Sequence, residues 1–248
     1  MVSKPVTISI VSHAQGYMVS ELLKDLKFCE EIEAIVLTIN VPEPEINCPD
    51  ELRDKLIIIS NKYPLGFGSN HNQAFAKCKT KYFAVLNPDI RFSKNPFTKL
   101  INTLLTEKSS LIAPLVVNSA GGIEDSARYF PTPKRLLSKL LLGRDGRYQI
   151  DKYLPTNVDF IAGMFMLFNS DKYEKLNGFD EKFFMYYEDV DICARFWNEG
   201  EKVTIDPSIS VIHDAQRTSN RNLRYFSWHL SSMALYFYKH FLRLPVIK

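Results

Sequence analysis

No segment of the 248 residues approaches the run of about 18 apolar residues needed to span a bilayer, so none reads as transmembrane. The opening stretch, MVSKPVTISIVSH, has too short an apolar run for a signal peptide. Cysteine is sparse. Cys29, Cys48, Cys78 and Cys193 are scattered, with no CxxC pair and no metal-ligand spacing. That excludes a thiolate metal centre and suits a reducing cytosol. There is no internal repeat, low-complexity tract or linker, which favours one domain over several. Acid is missing from the tail. After Asp214 none occurs, while Arg217, Arg221, Arg224, Lys239, Arg243 and Lys248 follow. The overall charge of +3 therefore hides a net-negative body and a basic tail. No nucleic-acid-binding module accompanies those bases, which argues against a nucleic-acid partner.

What is present is a strand–helix alternation. Val6–Ser12, Glu33–Asn40, Lys55–Ser60, Tyr82–Leu86 and Leu111–Val117 read as strands. Tyr17–Phe28, Asn70–Cys78 and Pro96–Thr106 read as helices. Apolar strands alternating with helices imply an α/β fold, a mostly parallel sheet flanked by helices. Ligands then bind beyond the carboxyl ends of the strands. The segments to watch are Ser12–Gly16, Asn40–Asp50, Asn61–Ser69 and Asn87–Asp89. In the second half, Val158–Phe168 reads as one long central strand. Lys202–Ile205 and Ile209–Ile212 read as two short ones, followed by a C-terminal amphipathic helix.

The densest chemistry lies in residues 178–191, Gly-Phe-Asp-Glu-Lys-Phe-Phe-Met-Tyr-Tyr-Glu-Asp-Val-Asp. On a helix from Glu188 to Glu199, at about 100° per residue, Glu188, Asp191, Arg195, Asn198 and Glu199 share a polar face. First-turn capping and an i,i+4 pair of Asp191 with Arg195 are the ordinary account of those acids. Asp189 differs. It falls among Ile192, Cys193 and Phe196 on the apolar side, where a carboxyl's pKa rises and it becomes a usable proton acceptor. Cys193 reads as packing. Two strand ends add further groups. Asp89 follows Tyr82–Leu86, and His213 ends Ile209–Ile212. A carboxylate and an imidazole delivered from two strands can converge on one divalent ion.

These residues, taken in order, resemble a known family. They are Gly66-Phe67-Gly68 with Asn70 and Asn72, then Leu86-Asn87-Pro88-Asp89, Asp125-Ser126-Ala127-Arg128 before Pro131, and Ala162-Gly163-Met164. The 178–186 run, Glu188-Asp189-Val190-Asp191, and Pro207 with His213 complete the set. The pattern resembles inverting family 2 glycosyltransferases of GT-A fold, in their bacterial rhamnosyltransferase-like branch. The resemblance implies Asp189 as catalytic base, with Glu188 orienting it or touching the acceptor. It implies Mg²⁺ or Mn²⁺ held by Asp89 and His213. It implies donor contacts from Ser12, Asn40, Gly66, Phe67, Asn72, Asn87, Asp89, Arg128, Gly163 and Arg217. Two motifs depart from the family. Ser12-His13-Ala14-Gln15 replaces Asn-Tyr-Asn, and Asn40 lacks the preceding acid that reads the base.

The resemblance implies a nucleotide-sugar half (1–117), an acceptor and catalytic half (118–220) and a basic aromatic helix (221–248). In the tail, Leu223, Phe226, Leu230, Met233, Phe237, Phe241 and Leu244 form a stripe at spacings of three and four. With six bases it reads as a helix for anionic lipid headgroups, or equally as packing with a basic outer face. The expected activity is transfer of L-rhamnose from dTDP-rhamnose, with UDP-sugars as the other donor class. The acceptor is a lipid-linked bacterial surface glycan on the cytoplasmic membrane's inner face. Two rivals stand beside it: a sugar-nucleotide-binding protein without catalysis, and a nucleotidyltransferase. The latter needs a basic, glycine-rich loop after the first strand, which Ser12–Gly16 does not supply.

Overall fold

A computed structural model describes residues 4–143, 148, 150, 153–213, 223–241 and 243–245. The strands are β1 (Val6–Ser12), β2 (Ile32–Ile39), β3 (Leu56–Ser60), β4 (Tyr82–Leu86), β5 (Ile90–Arg91), β6 (Ser109–Val117), β7 (Ala127–Arg128), β8 (Thr156–Asn157), β9 (Phe160–Ile161), β10 (Phe165–Asn169) and β11 (Lys202–His213). The helices are α1 (Gly16–Leu26), α2 (Phe67–Phe75), α3 (Phe97–Glu107), α4 (Pro133–Leu142), α5 (Ser170–Lys175), α6 (Glu188–Asn198) and α7 (Leu223–His240). A 3₁₀ turn over Asp50–Lys55 precedes β3.

The main sheet runs β3-β2-β1-β4-β10-β6-β11-β5, with β8 beside β11. The pairs β3–β2, β2–β1, β1–β4 and β6–β11 are parallel, while β10 runs against both its neighbours. Side chains alternate between two cores, as the pleat requires. Tyr82, Ala84 and Leu86 pack with α1 and α3, through Leu22, Leu23, Phe97 and Leu100. Phe83 and Val85 pack on the other face, with Tyr173, Cys193, Phe196 and Tyr236 of α5, α6 and α7. Strands covered on both faces explain the near-continuous apolar runs.

Because β1 to β4 are parallel, their carboxyl ends open on one edge. The chain knits there: Asn40 N donates to Ser12 O (2.9 Å), and Asn61 N to Ile39 O (3.0 Å). This edge is the floor of the site.

Two expected elements differ. Val158–Phe168 is not one strand. It breaks at Ala162-Gly163-Met164, where Met164 N turns back onto Ala162 O (2.7 Å). Beyond the break the chain enters the sheet as β10, while β9 pairs with β7 in a separate ribbon. The two C-terminal strands are instead one, β11, and its register shifts between Asp206 and Ser210. Pro207 removes a ladder donor, and the strand absorbs it as a bulge rather than ending. Asp206 is buried there and accepts from Thr103 Oγ1 (2.6 Å) and Ser208 Oγ (2.6 Å).

Candidate active site

The break at 162–164 joins two groups of candidate residues. On one side, Met164 O accepts from Asn87 N (2.9 Å), fixing the turn that carries Asp89. On the other, Gly163 N donates to Asp189 Oδ2 (3.1 Å). A side chain at 163 would meet the Phe67 ring at 2.9 Å, so glycine keeps this approach open. Gly163, expected at the donor, has its amide bonded to Asp189.

Asp89 and His213 are brought together by β5, which pairs with the end of β11 so that Ile90 faces His213. Asp89 Oδ2 lies 3.2 Å from His213 Nε2. Asp89 Oδ1 is buried and has no hydrogen-bond partner among the described residues. A buried carboxylate oxygen without a donor is a costly arrangement that an ion relieves. Among the described residues no three His, Cys, Asp or Glu side chains gather to hold a metal by themselves. Two protein ligands suit a cation that completes its shell with substrate phosphate oxygens. Arg217 lies outside the described residues.

Asp189 sits in the first turn of α6, half-buried. Its Oδ1 accepts from Val190 N (2.8 Å). Burial pushes its carboxyl up, while the Val190 and Gly163 amides and the charge of Arg128 pull the other way. Arg128 is delivered by the β7–β9 ribbon and pairs with Asp125 at 3.0 Å. Glu188 is 6 % exposed, and its Oε2 has no hydrogen-bond partner among the described residues. Burial first, and the charge of Asp189 second, hold its carboxyl well above the usual range. Two adjacent carboxyls in so dry a place do not both ionise readily.

The polar face expected of α6 meets solvent only at its end, through Asn198 and Glu199. Glu188 is buried, and Asp191 is fully so. Asp191 does pair with Arg195 (2.7 Å), but the pair is interior, and Lys239 and His240 of α7 complete it. Cys193 is buried as expected, and burial raises its thiol. The helix begins after two consecutive left-handed tyrosines, Tyr186 (φ 70°) and Tyr187 (φ 67°). Nothing in the residue types signals this strain, which amounts to about 1–3 kcal/mol per residue and is typical of functional sites.

Residues 47–176 match Glycosyl transferase family 2, and residues 149–218 match the N-terminal domain of galactosyltransferase. The chain is 31% identical to rhamnosyltransferase WbbL of Escherichia coli, over 93% of this chain and 92% of that protein. The chain belongs to glycosyltransferase family 2. It is also 26% identical to N-acetylglucosaminyl-diphospho-decaprenol L-rhamnosyltransferase of Mycobacterium tuberculosis, over 56% of this chain and 48% of that one. In fold it matches a mannosyltransferase of Pyrobaculum calidifontis solved with GDP-Man and Mn²⁺. The TM-score is 0.64 at 11% identity, over 96% of this chain and 64% of that chain. The fold is thus GT-A, as expected.

Within this glycosyltransferase several residues expected at the donor are bound up in scaffolding. Asn72 Oδ1 accepts from Tyr173 Oη (2.7 Å) and Phe179 N (3.0 Å), and Nδ2 donates to Phe179 O (2.9 Å) and Glu181 (3.0 Å). Its amide is fully occupied in holding the 178–181 turn. Asn40 Oδ1 accepts from Leu65 N (2.9 Å) and Asn61 Nδ2 (2.9 Å). Its Nδ2 reaches Leu65 O (3.0 Å) and His13 Nδ1 (3.2 Å). Ser12 is buried and accepts from Gln15 N (3.2 Å). Gly66 exists for contact: a Cβ there would lie 2.4 Å from Phe184 O, to which Phe67 N donates at 2.9 Å. The Phe67 ring meets His71 and Phe179 edge-on.

Proposed function

We propose that this glycosyltransferase moves L-rhamnose from dTDP-rhamnose to a lipid-linked surface glycan with inversion at the anomeric carbon. The observation that carries the reading is the 162–164 break, which ties the Asp89 turn and Asp189 to one three-residue segment. The likeness to two rhamnosyltransferases, one of them full-length, supports the sugar.

The acceptor hydroxyl gives its proton to Asp189 as its oxygen attacks the anomeric carbon from the face opposite the diphosphate. One displacement needs one base and no covalent sugar–enzyme intermediate. The Gly163 amide fixes the receiving carboxylate, and buried Glu188 excludes water beside it. Asp89 and His213 would hold Mg²⁺ or Mn²⁺, which would supply positive charge for a leaving diphosphate. Arg128, with Arg217, adds positive charge for phosphate.

The outer arc of α7 supports a place at the membrane. Phe226 (61 %), Leu230 (42 %), Tyr238 (88 %) and Phe241 (61 %) are exposed there, with Arg224 and Arg243 also exposed. No helix among the described residues is long and apolar enough to cross a bilayer. A surface contact on the cytoplasmic leaflet, where a lipid-linked acceptor presents its sugar, fits an apolar arc with basic flanks. We include this helix as a peripheral anchor beside the donor and acceptor halves.

The test is dTDP-rhamnose with a short-chain N-acetylglucosaminyl-diphospho-lipid. Transfer should stop with chelator and return with Mg²⁺ or Mn²⁺, and the product's anomeric configuration, read by NMR, should be inverted. A second reading, a sugar-nucleotide binder without turnover, is favoured by the missing acid before Asn40. Donor binding by calorimetry without transfer to any acceptor would support it and overturn ours.

A further inference from the structure

We infer that Lys239 and His240, at the end of α7, are positioning residues for Asp189, acting through Asp191. This rests on the reading of Asp189 as base. The expected role for Lys239 was a membrane-facing charge. The structure turns it inward. Its Nζ donates to Asp180 Oδ2 and Asp191 Oδ1, both at 2.7 Å. His240 Nε2 lies 2.8 Å from the same Asp191 oxygen. Arg195 Nε donates to the other oxygen at 2.7 Å, and its remaining nitrogens reach Leu176 O (2.9 Å) and Gly178 O (2.8 Å).

Asp191 thus joins three elements: the first turn of α6, the 176–180 turn and the last turn of α7. Asp189 is two residues from this joint. Between Asp180 and Asp191, α7 packs on the stretch from Phe184 to Tyr187. Ser232 Oγ donates to Met185 O (2.8 Å). Trp228 meets Phe184 at 4.6 Å between ring centres, and Tyr236 meets Tyr187 at 5.2 Å. The segment so covered contains the two left-handed tyrosines that aim Glu188 and Asp189. Strained backbone persists only where its surroundings over-determine it. Here those surroundings are α7. Releasing its last turn lets the tyrosines relax and carries the base off its line.

The expected stripe holds in part: Met233, Phe237 and Leu244 pack against the core. The buried face is Ser232, Tyr236 and His240, spaced by four, while Phe226 and Phe241 of the stripe face outward.

The experiment compares wild type, Lys239→Met, His240→Gln and Lys239→Arg. Transfer is measured with dTDP-rhamnose and the short-chain lipid acceptor, and donor affinity by calorimetry. The inference predicts kcat down at least about tenfold in Lys239→Met and His240→Gln. Donor affinity should stay within about threefold, and Lys239→Arg should recover most of the rate. Hydrogen exchange, read by peptide, should rise in 180–191 and not in β1 or β4. Unchanged kcat in Lys239→Met would overturn the inference. So would equal loss of rate and donor affinity with exchange raised throughout, since that marks general unfolding. Asp189→Asn in the same assay separates the two claims: if that variant is inactive while Lys239→Met is normal, the base reading stands and the positioning claim falls.

Discussion

Glu188 and Asp189 show how far residue type and burial decide chemistry. Both are acids in one helical turn, yet Asp189 accepts two backbone amides while Glu188 Oε2 has no partner among the described residues. Burial raises Glu188 most of all, and this has a stability consequence. A carboxyl whose folded pKa lies above its unfolded value of about 4.3 weakens the fold as pH rises through that interval, because the unfolded chain ionises more easily. Glu188→Gln removes the charge. Its melting temperature should exceed wild type at neutral pH, and the advantage should shrink towards about pH 4. Thermal melts across that range check it, and a constant or reversed difference would contradict the assignment. Helical periodicity identified Asp189 as the acid among apolar neighbours. It also took the opposite side of α6 for solvent, because periodicity does not reveal that a distant helix supplies a cover.

At the scale of elements, that cover is α7, and Asp191 records it. Burial alone would raise the Asp191 carboxyl, but the His240 hydrogen bond and the charges of Arg195 and Lys239 prevail and hold it at about 2. Against an unfolded value of about 3.9, this contributes on the order of 2 kcal/mol above about pH 4, lost as pH falls through about 2. Asp191→Asn should therefore lower stability at neutral pH and flatten the acid arm of the denaturation profile. A variant that melts like wild type at every pH would place the joint elsewhere. The strands were the most legible elements: β1 and β4 fall at the expected bounds, because apolar runs ended by turn residues leave little choice. The 162–164 break was not legible, since its residues continue an apolar run and the turn is imposed by Asn87 and Asp189 from elsewhere in the chain. Helix α2 starts three residues earlier than expected, because Gly66 and Gly68 serve contact with the 179–184 segment rather than marking a loop.

At the scale of the whole molecule, the fold gathers a site from segments far apart in sequence: Asp89 after β4, Gly163 between β9 and β10, Asp189 in α6 and His213 at the end of β11. The outer arc of α7 then faces away from this site. Neutralising Arg224 and Arg243 as glutamine should weaken binding to anionic vesicles by about 2 kcal/mol, at about 1 kcal/mol per base. High salt should mimic the loss by screening. Lys239 belongs outside that set, because it is engaged with Asp180 and Asp191. Equal co-sedimentation of variant and wild type would leave α7 as packing alone. The central claim is that Asp189 takes the acceptor's proton in sugar transfer. Its most direct test is single-turnover transfer from dTDP-rhamnose by Asp189→Asn, beside donor binding measured on the same preparation. The account predicts turnover lowered by about 10²–10⁴-fold with donor affinity retained; near-normal transfer by that variant would contradict it.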